Sequence, residues 1–582
     1  MLTNKFFSKL KFTQKKKIPK WTTISLVSLT GLLVLTIILV KLALGELGQL
    51  GILRLSGFPA ASDYLIIFQN NAERRPTGGF ITSYATLKFR FGIPFLEFGN
   101  VYDEKLIQRG SKPPNEIMEQ LLAGDSYPGH GFRDGNFDVD FPTTAKELMR
   151  LYQLGYPKAE FDGVIALDFT AFENLARSLD PNLVGEAGLF SQIENEVQDI
   201  DFHNPEQIKT RKNFLASLAK SLLRKSIFHP QKSVHSILAS LKSKHVLFYF
   251  QNPKIQKIVQ TKNWGGILTE KIGGDFLAVN EGNYGGMKSS RYITRDIFYD
   301  VEFTQNSQKE LTPSANLKIS LQHRGDSAEP ISGFYKGFWR IFTPIGVQKT
   351  TRVKFEKEFD DGFHQVFGKI IKMNPSEESE IALSYDLPDF VVKDGIYRLK
   401  LIKQAGSGDD FLRVSVKLPS GYLFADQDLD STNRDSLEIK ENLAVYQTFL
   451  SEDKELALKI LPDSTPPRLA WQNFVGNNLR TVDLRFNEAL DAESVVNAKF
   501  ELSDMNYRNK RFDPVVIQRV RFIPPQNIRL ELSGITPECR EWYELRLSGI
   551  SDEQGNTIQD GKVTVVQWID ELGKNCDPEQ KL

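Results

Sequence analysis

The hydrophobic pattern changes abruptly within the first forty residues. Trp21 to Val40 (WTTISLVSLTGLLVLTIILV) is a run of twenty residues without a charge. At ~1.5 Å rise per residue it spans roughly 30 Å, the thickness of a bilayer's hydrocarbon core. Ahead of it stand Lys5, Lys9, Lys11, Lys15, Lys16, Lys17 and Lys20 with no acidic residue among them. By the positive-inside rule this predicts a basic cytoplasmic tail over 1–20, a transmembrane helix over 21–43 acting as a signal-anchor, and an extracytoplasmic remainder. A cleaved secretory signal is the alternative, but its apolar region is usually ~7–15 residues, and no convincing small-x-small cleavage site follows Val40.

Past the anchor the period alternates between strand and helix. Tyr64–Gln69 (YLIIFQ) reads as a buried strand and Phe80–Phe91 as a second, after a Pro-Thr-Gly-Gly turn. Phe141–Leu154 reads as a helix with Asp140 as its cap, Pro142 in its first turn and Gly155 as its stop. Phe161–Leu167 returns to strand, and Asp168 caps a helix over Phe169–Leu179. Two more amphipathic helices are expected over Pro205–Lys225 and Pro230–Ser243, followed by the strand Val246–Phe250. This alternation predicts a mixed α/β (α+β) domain over 62–287.

From Lys288 the helical period disappears. Short alternating runs separated by turn residues predict an all-β sandwich domain over 288–460. A Pro-rich joint, Pro462–Pro467, precedes further strands and an Ig-like β-sandwich over 465–567.

Composition changes this picture little. The 582 residues are enough for about three folded units, at ~100–200 residues each. Lys+Arg and Asp+Glu both number 73, so there is no net field to draw in nucleic acid. The two cysteines, Cys539 and Cys576, can form one disulfide if that region is exported. Such a bridge would stabilise by roughly 4 kcal/mol in the chain-entropy model. Two unrelated thiols are the other reading.

Three segments hold candidate chemistry. Asn70, Asn71, Glu73, Arg74, Arg75, Thr77, Gly78 and Gly79 cluster at a strand–turn–strand. Two guanidinium forks can grip a phosphate, and glycines admit backbone amides beside it. The same residues also suit a purely structural turn, with Asn capping the backbone and Arg paired to buried acids. Arg133, Asp134, Asn136, Asp138 and Asp140 precede a helix, and Asp134 and Asp138 are candidate ligands for a hard cation. Their spacing is not that of an EF-hand, and Asp140 is most simply a cap. Phe334, Tyr335, Phe338 and Trp339 suit either sugar stacking or a sandwich core, and core is the preferred reading. Seven scattered histidines lack metal-ligand spacing, and no nucleophile-elbow, Walker or dinucleotide motif appears. No cofactor is expected.

The segment FQNNAERRPTGGF (Phe68–Phe80) resembles the opening motif of a bacterial envelope family, domain of unknown function 4012. The resemblance continues at Arg133–Ala145, Phe161–Asp168, Asn283–Arg295, Trp339–Gly346 and Tyr397–Gly406, covering about 62–419. It implies a membrane-tethered envelope protein and no established activity. Thr465–Leu469, Val482–Asp491 and Ile550–Asn556 resemble bacterial Ig-like domains of surface-layer type. A more distant similarity to LytR-CpsA-Psr phosphotransferases rests on Phe161–Pro181 and on Arg75 beside a strand. That family is implied to bind a polyprenyl-pyrophosphate glycan with arginines and a metal. Here Thr77-Gly78-Gly79 stands where that family has an acid.

Two functions are therefore expected in order. The first is an envelope protein that binds a cell-wall glycan or lipid-linked polymer, or acts as a surface scaffold for other envelope proteins. The second is a transferase using Arg74, Arg75 and Arg133, with Mg2+ on Asp134 or Asp138.

Overall fold

The computed structural model describes residues 54–107, 131–184, 222, 224–226, 228–285, 288–308, 310–326, 333–425, 435–475, 480–506, 511–533, 542–558 and 563–567. Among them no helix is long and apolar enough to cross a membrane. The expected span at 21–43, both cysteines and most of the helix expected over 205–225 lie outside the described residues.

Five strands build the first sheet: β1 (Ser62–Arg75), β2 (Gly78–Arg90), β3 (Ile93–Gly99), β4 (Gly163–Asp168) and β5 (Val246–Phe250). Their order is β3-β2-β1-β4-β5. β1 and β4 run parallel, and the other neighbours are antiparallel. The parallel pair requires a crossover, and helix α1 (Phe141–Gly155) lies in it. Asp140 caps α1 by accepting from the Thr143 amide at 3.1 Å. Helices α2 (Phe169–Leu179), α3 (Pro230–Lys242) and α4 (Pro253–Thr261) follow.

Strand periodicity decides which helix meets which face. Leu65, Ile67, Val164 and Leu247 pack with Ala145, Leu148 and Leu151 of α1. Their neighbours Tyr64, Ile165, Phe248 and Phe250 face the other way and pack with Leu241 of α3 and Ile255 and Val259 of α4. Each such fully buried side chain contributes about 1.5–3 kcal/mol, so both helix layers are held mainly by this burial.

The β2–β3 connection is a two-residue turn, Phe91-Gly92, with φ of 49° and 81°. Both residues sit in the left-handed region, as a type I′ hairpin demands, where Asn-Gly is the favoured pair. A phenylalanine there costs about 1–2 kcal/mol.

Strand β6 (Asp275–Asn283) corrects the domain boundary drawn from sequence. It is buried on both faces and belongs to a sheet of the sandwich, between Tyr335–Pro344 and Ile396–Ile402. Leu277 and Val279 enter the sandwich core. Phe276 and Ala278 pack instead against Val139, Leu268 and Ile272 of the first domain. A strand buried twice loses the polar alternation by which strands are recognised. A division at 287 therefore cuts β6 from its own sheet.

The facing sheet of the sandwich is centred on Ile293–Gln305, Leu311–His323 and Asp410–Lys417. Ile293–Gln305 alternates buried and outward positions, which is the pattern visible in the sequence. Tyr335, Phe338 and Trp339 are buried and Phe334 is exposed, in keeping with the core reading. In the terminal module the long strand Arg511–Ile523 pairs through one half with Lys499–Asn506 and through the other with Asn527–Ser533. It thereby links the two parts of that module around a core of Val482, Leu484, Leu530 and Leu545.

Candidate functional site

The signature residues lie where the end of β1 meets β6 and the segment after Ile396–Ile402. Arg74 Nη1 is 2.6 Å from Glu281 Oε1, and Glu281 is fully buried. The other Glu281 oxygen accepts from Tyr335 Oη at 2.8 Å. Arg75 Nη2 is 3.0 Å from Glu73 Oε1 and 3.8 Å from Asp134 Oδ1. Its guanidinium also lies 4.6 Å from the centre of the Tyr284 ring. Burial pushes the Glu73 carboxyl up, against the opposing pull of Arg75.

The asparagines and glycines serve the backbone. Asn70 Oδ1 accepts from the Ala72 amide at 3.0 Å, closing an Asx turn. Asn71 Nδ2 donates to Thr170 Oγ1 at 2.8 Å and to the Gly406 carbonyl at 3.3 Å. Asn136 Nδ2 donates to the Gly79 carbonyl at 2.7 Å. Thr77 bridges in parallel to Ala405. A side chain at Gly406, where φ is 71°, would come within 2.4 Å of the Gly78 carbonyl. Glycine here allows one chain segment to approach another.

Arg133 is partly exposed and pairs with Asp134 at 3.3 Å. The two metal candidates do not converge. Asp134 is turned to the arginines, whereas Asp138 accepts from the Asp140 amide at 2.8 Å, and burial raises its carboxyl. Among the described residues, the acidic group within metal-ligand reach is Asp463, Glu488 and Asp552, where the sandwich meets the terminal module.

Sequence reasoning missed the partners that complete this junction. Gln404 Oε1 accepts from the Glu281 amide at 3.0 Å, and its Nε2 donates to the Glu281 carbonyl at 2.7 Å. Arg295 pairs with Asp410 at 2.7 Å, and Lys244 with Asp453 at 2.7 Å; Arg295, Asp410 and Lys244 are buried and Asp453 is partly buried. Burial lowers the Lys403 ammonium to about 8, although it donates to Ser407 O at 2.6 Å and to Ser407 Oγ at 2.8 Å. Glu281 and Gln404 look like ordinary strand positions in a linear reading. The one available signal was an acid inside an apolar strand, which requires a buried cation.

One cavity lies beside this region and another lies away from it. A small pocket of about 20 Å3, room for about one water, is lined by Thr77, Asn280, Lys244 and Lys403. An open cleft of about 700 Å3 lies at the other end of the first sheet, among Asp63, Arg90, Lys146, Arg150, Asp162 and Gln251. Arg74 and Arg75 line neither.

Residues 60–192 match the model of a family described as a protein of unknown function, DUF4012. The opening motif and the segments at 133–145 and 161–168 fall inside that match. No curated protein matches the chain. Among solved structures, the chain is similar to the N-terminal part of the bacterial S-layer protein SbsC, at 12% identity and a TM-score of 0.15. That similarity covers 17% of this chain and 23% of the other, so it spans less than a quarter of the S-layer structure. A putative nutrient binding protein from Legionella pneumophila is similar at 9% identity and a TM-score of 0.21, over 29% of this chain and 67% of the other.

Proposed function

We propose that this is a membrane-anchored envelope protein that acts as an extracytoplasmic surface scaffold. Its first two domains work as one rigid support for the terminal module. The observation that carries this reading is the buried Arg74–Glu281 pair between the two domains, beside Arg75 held by Glu73 and Asp134 of its own domain. Buried ion pairs of this kind fix relative orientation, because removing either partner leaves a desolvated charge. A rigid support is what a scaffold requires, and a phosphate grip requires those same arginines to be open. A wall glycan would meet the first domain at the open cleft, where Lys146 and Arg150 offer donors.

The test is binding of a polyprenyl pyrophosphate to the detergent-solubilised full chain, with and without Mg2+, beside Arg75→Ala. No saturable binding is expected in either condition. Saturable binding that weakens in a folded Arg75→Ala protein would replace the scaffold by a LytR-CpsA-Psr-like transferase.

A further inference from the structure

At the end of the first sheet where the described chain begins, three large apolar side chains stand in the open. Phe91 is 76% exposed, Ile93 52% and Phe58 48%. Backbone contacts bring them together: the Phe91 amide donates to the Gly57 carbonyl at 3.1 Å and the Gly92 amide to the Ser56 carbonyl at 2.9 Å. Arg90 pairs with Ile93 across the hairpin. Gly57, at φ 74°, is pressed so closely to Phe89 that a side chain would meet its carbonyl at 2.6 Å. The Ser56–Phe58 turn is thus fastened to the hairpin tip, and Pro59, Ala60 and Ala61 beside it are exposed too.

Phe91 occupies a left-handed position that disfavours bulky residues, and it keeps most of its ring in the open. Neither the turn nor the core gains from a phenylalanine there, so the ring is retained for something outside the domain. An exposed apolar cluster of this kind marks an interaction surface.

Its place in the chain selects the partner. Only residues 44–53 separate the predicted span at 21–43 from Arg54. Ten residues reach at most about 36 Å even when fully extended. The Arg54–Phe58 turn is therefore tethered beside the bilayer, and Arg54, itself exposed, can extend its guanidinium to the headgroups. We infer that Phe58, Phe91 and Ile93 form a foot that enters the interfacial layer of the bilayer and holds the first domain at a set tilt on the membrane. The inference rests on the anchored reading. The rings and the branched chain bury apolar area at the headgroup–acyl boundary, as membrane-surface elements do. The charged cleft among Asp63, Arg90, Lys146 and Asp162 opens alongside, which places its mouth close to lipid headgroups.

The test uses the full chain in phosphatidylethanolamine–phosphatidylglycerol vesicles whose acyl chains carry bromine. Tryptophan is introduced as Phe91→Trp or, as a distant control, as Phe449→Trp at a residue 48% exposed on the sandwich. The emission added by Phe91→Trp is expected to be quenched by bromolipid and shielded from aqueous iodide, with the control behaving oppositely. Flotation is measured first: a chain that does not float with the vesicles overturns the anchored reading, and the foot with it. A floating chain whose Phe91→Trp emission is open to iodide and untouched by bromolipid overturns the foot and leaves the anchor standing. Shielding from both quenchers means that protein covers the tip, and also overturns it. In a Phe91→Gly background, which relaxes the turn, Phe58→Trp is expected to lose most of its bromolipid quenching. Full retention there overturns the shared foot.

Discussion

The two junctions of this molecule handle charge in opposite ways. Between the first domain and the sandwich, buried cations are matched by acids across the junction: Arg74 with Glu281 and Lys244 with Asp453. Between the sandwich and the terminal module, Asp463, Glu488 and Asp552 gather with oxygens within 4.8 Å of one another. Among the described residues none of the three acids is in an ion pair. Asp463 and Asp552 are stabilised by turn donors, Thr465 and Asn556. Burial and the two aspartates push Glu488 up to about 7. The charges paired across the first junction attract one another, while the second carries like charges whose repulsion depends on pH.

The largest test of this contrast is Arg74→Met. It leaves Glu281 buried without its cation and is expected to cost about 3–5 kcal/mol, read as a fall in the first unfolding transition of the full chain. Adding Glu281→Gln should restore part of that loss, because the stranded charge is gone. Lys244→Met should cost about 3 kcal/mol by the same mechanism. It is tempered because Asp453 also accepts from the Lys403 amide at 2.8 Å. Gly406→Ala tests the close approach of chain segments. The left-handed φ alone predicts about 1–2 kcal/mol, and contact with Gly78 adds to it. Calorimetry should show that loss confined to the transition of the first two domains.

The smallest effect belongs to the second junction. Glu488 is raised from 4.5 to about 7, so the folded module holds more protons than the unfolded chain between those values. Stability there should fall as pH rises through about 7 and level off above it. Glu488→Gln should flatten the slope. A slope that survives this change would assign the effect to another group.

Much of the architecture was visible in the residues alone. Asp140 and Asp168 announced their helices, and both accept the expected amides, at 3.1 and 3.0 Å. Val246–Phe250 is a strand with the bounds its apolar run suggests. β6 was misplaced because a strand buried by two different partners carries no alternation. The candidate site was legible as a cluster and illegible as a junction. Arg74 and Arg75 pointed to anions, but a sequence does not distinguish a bound phosphate from Glu281, more than two hundred positions away. Glu488 and Asp552 lay inside segments already noted for their resemblance to Ig-like modules, yet their meeting with Asp463 exists only in the folded chain.

The link from Asn71 to the Gly406 carbonyl has a consequence in time. The two residues are 335 positions apart. During synthesis or export from the N-terminus, the first sheet can assemble soon after β5 emerges, while the end of β1 must wait for residue 406. Until then Glu73, Arg74 and Arg75 are hydrated and the tip of that hairpin is unfinished. Contacts of such long range slow the final step and lengthen the life of a half-built intermediate. Truncation before residue 396 should therefore yield a folded but protease-sensitive first domain, with cleavage concentrated between Asn70 and Gly79.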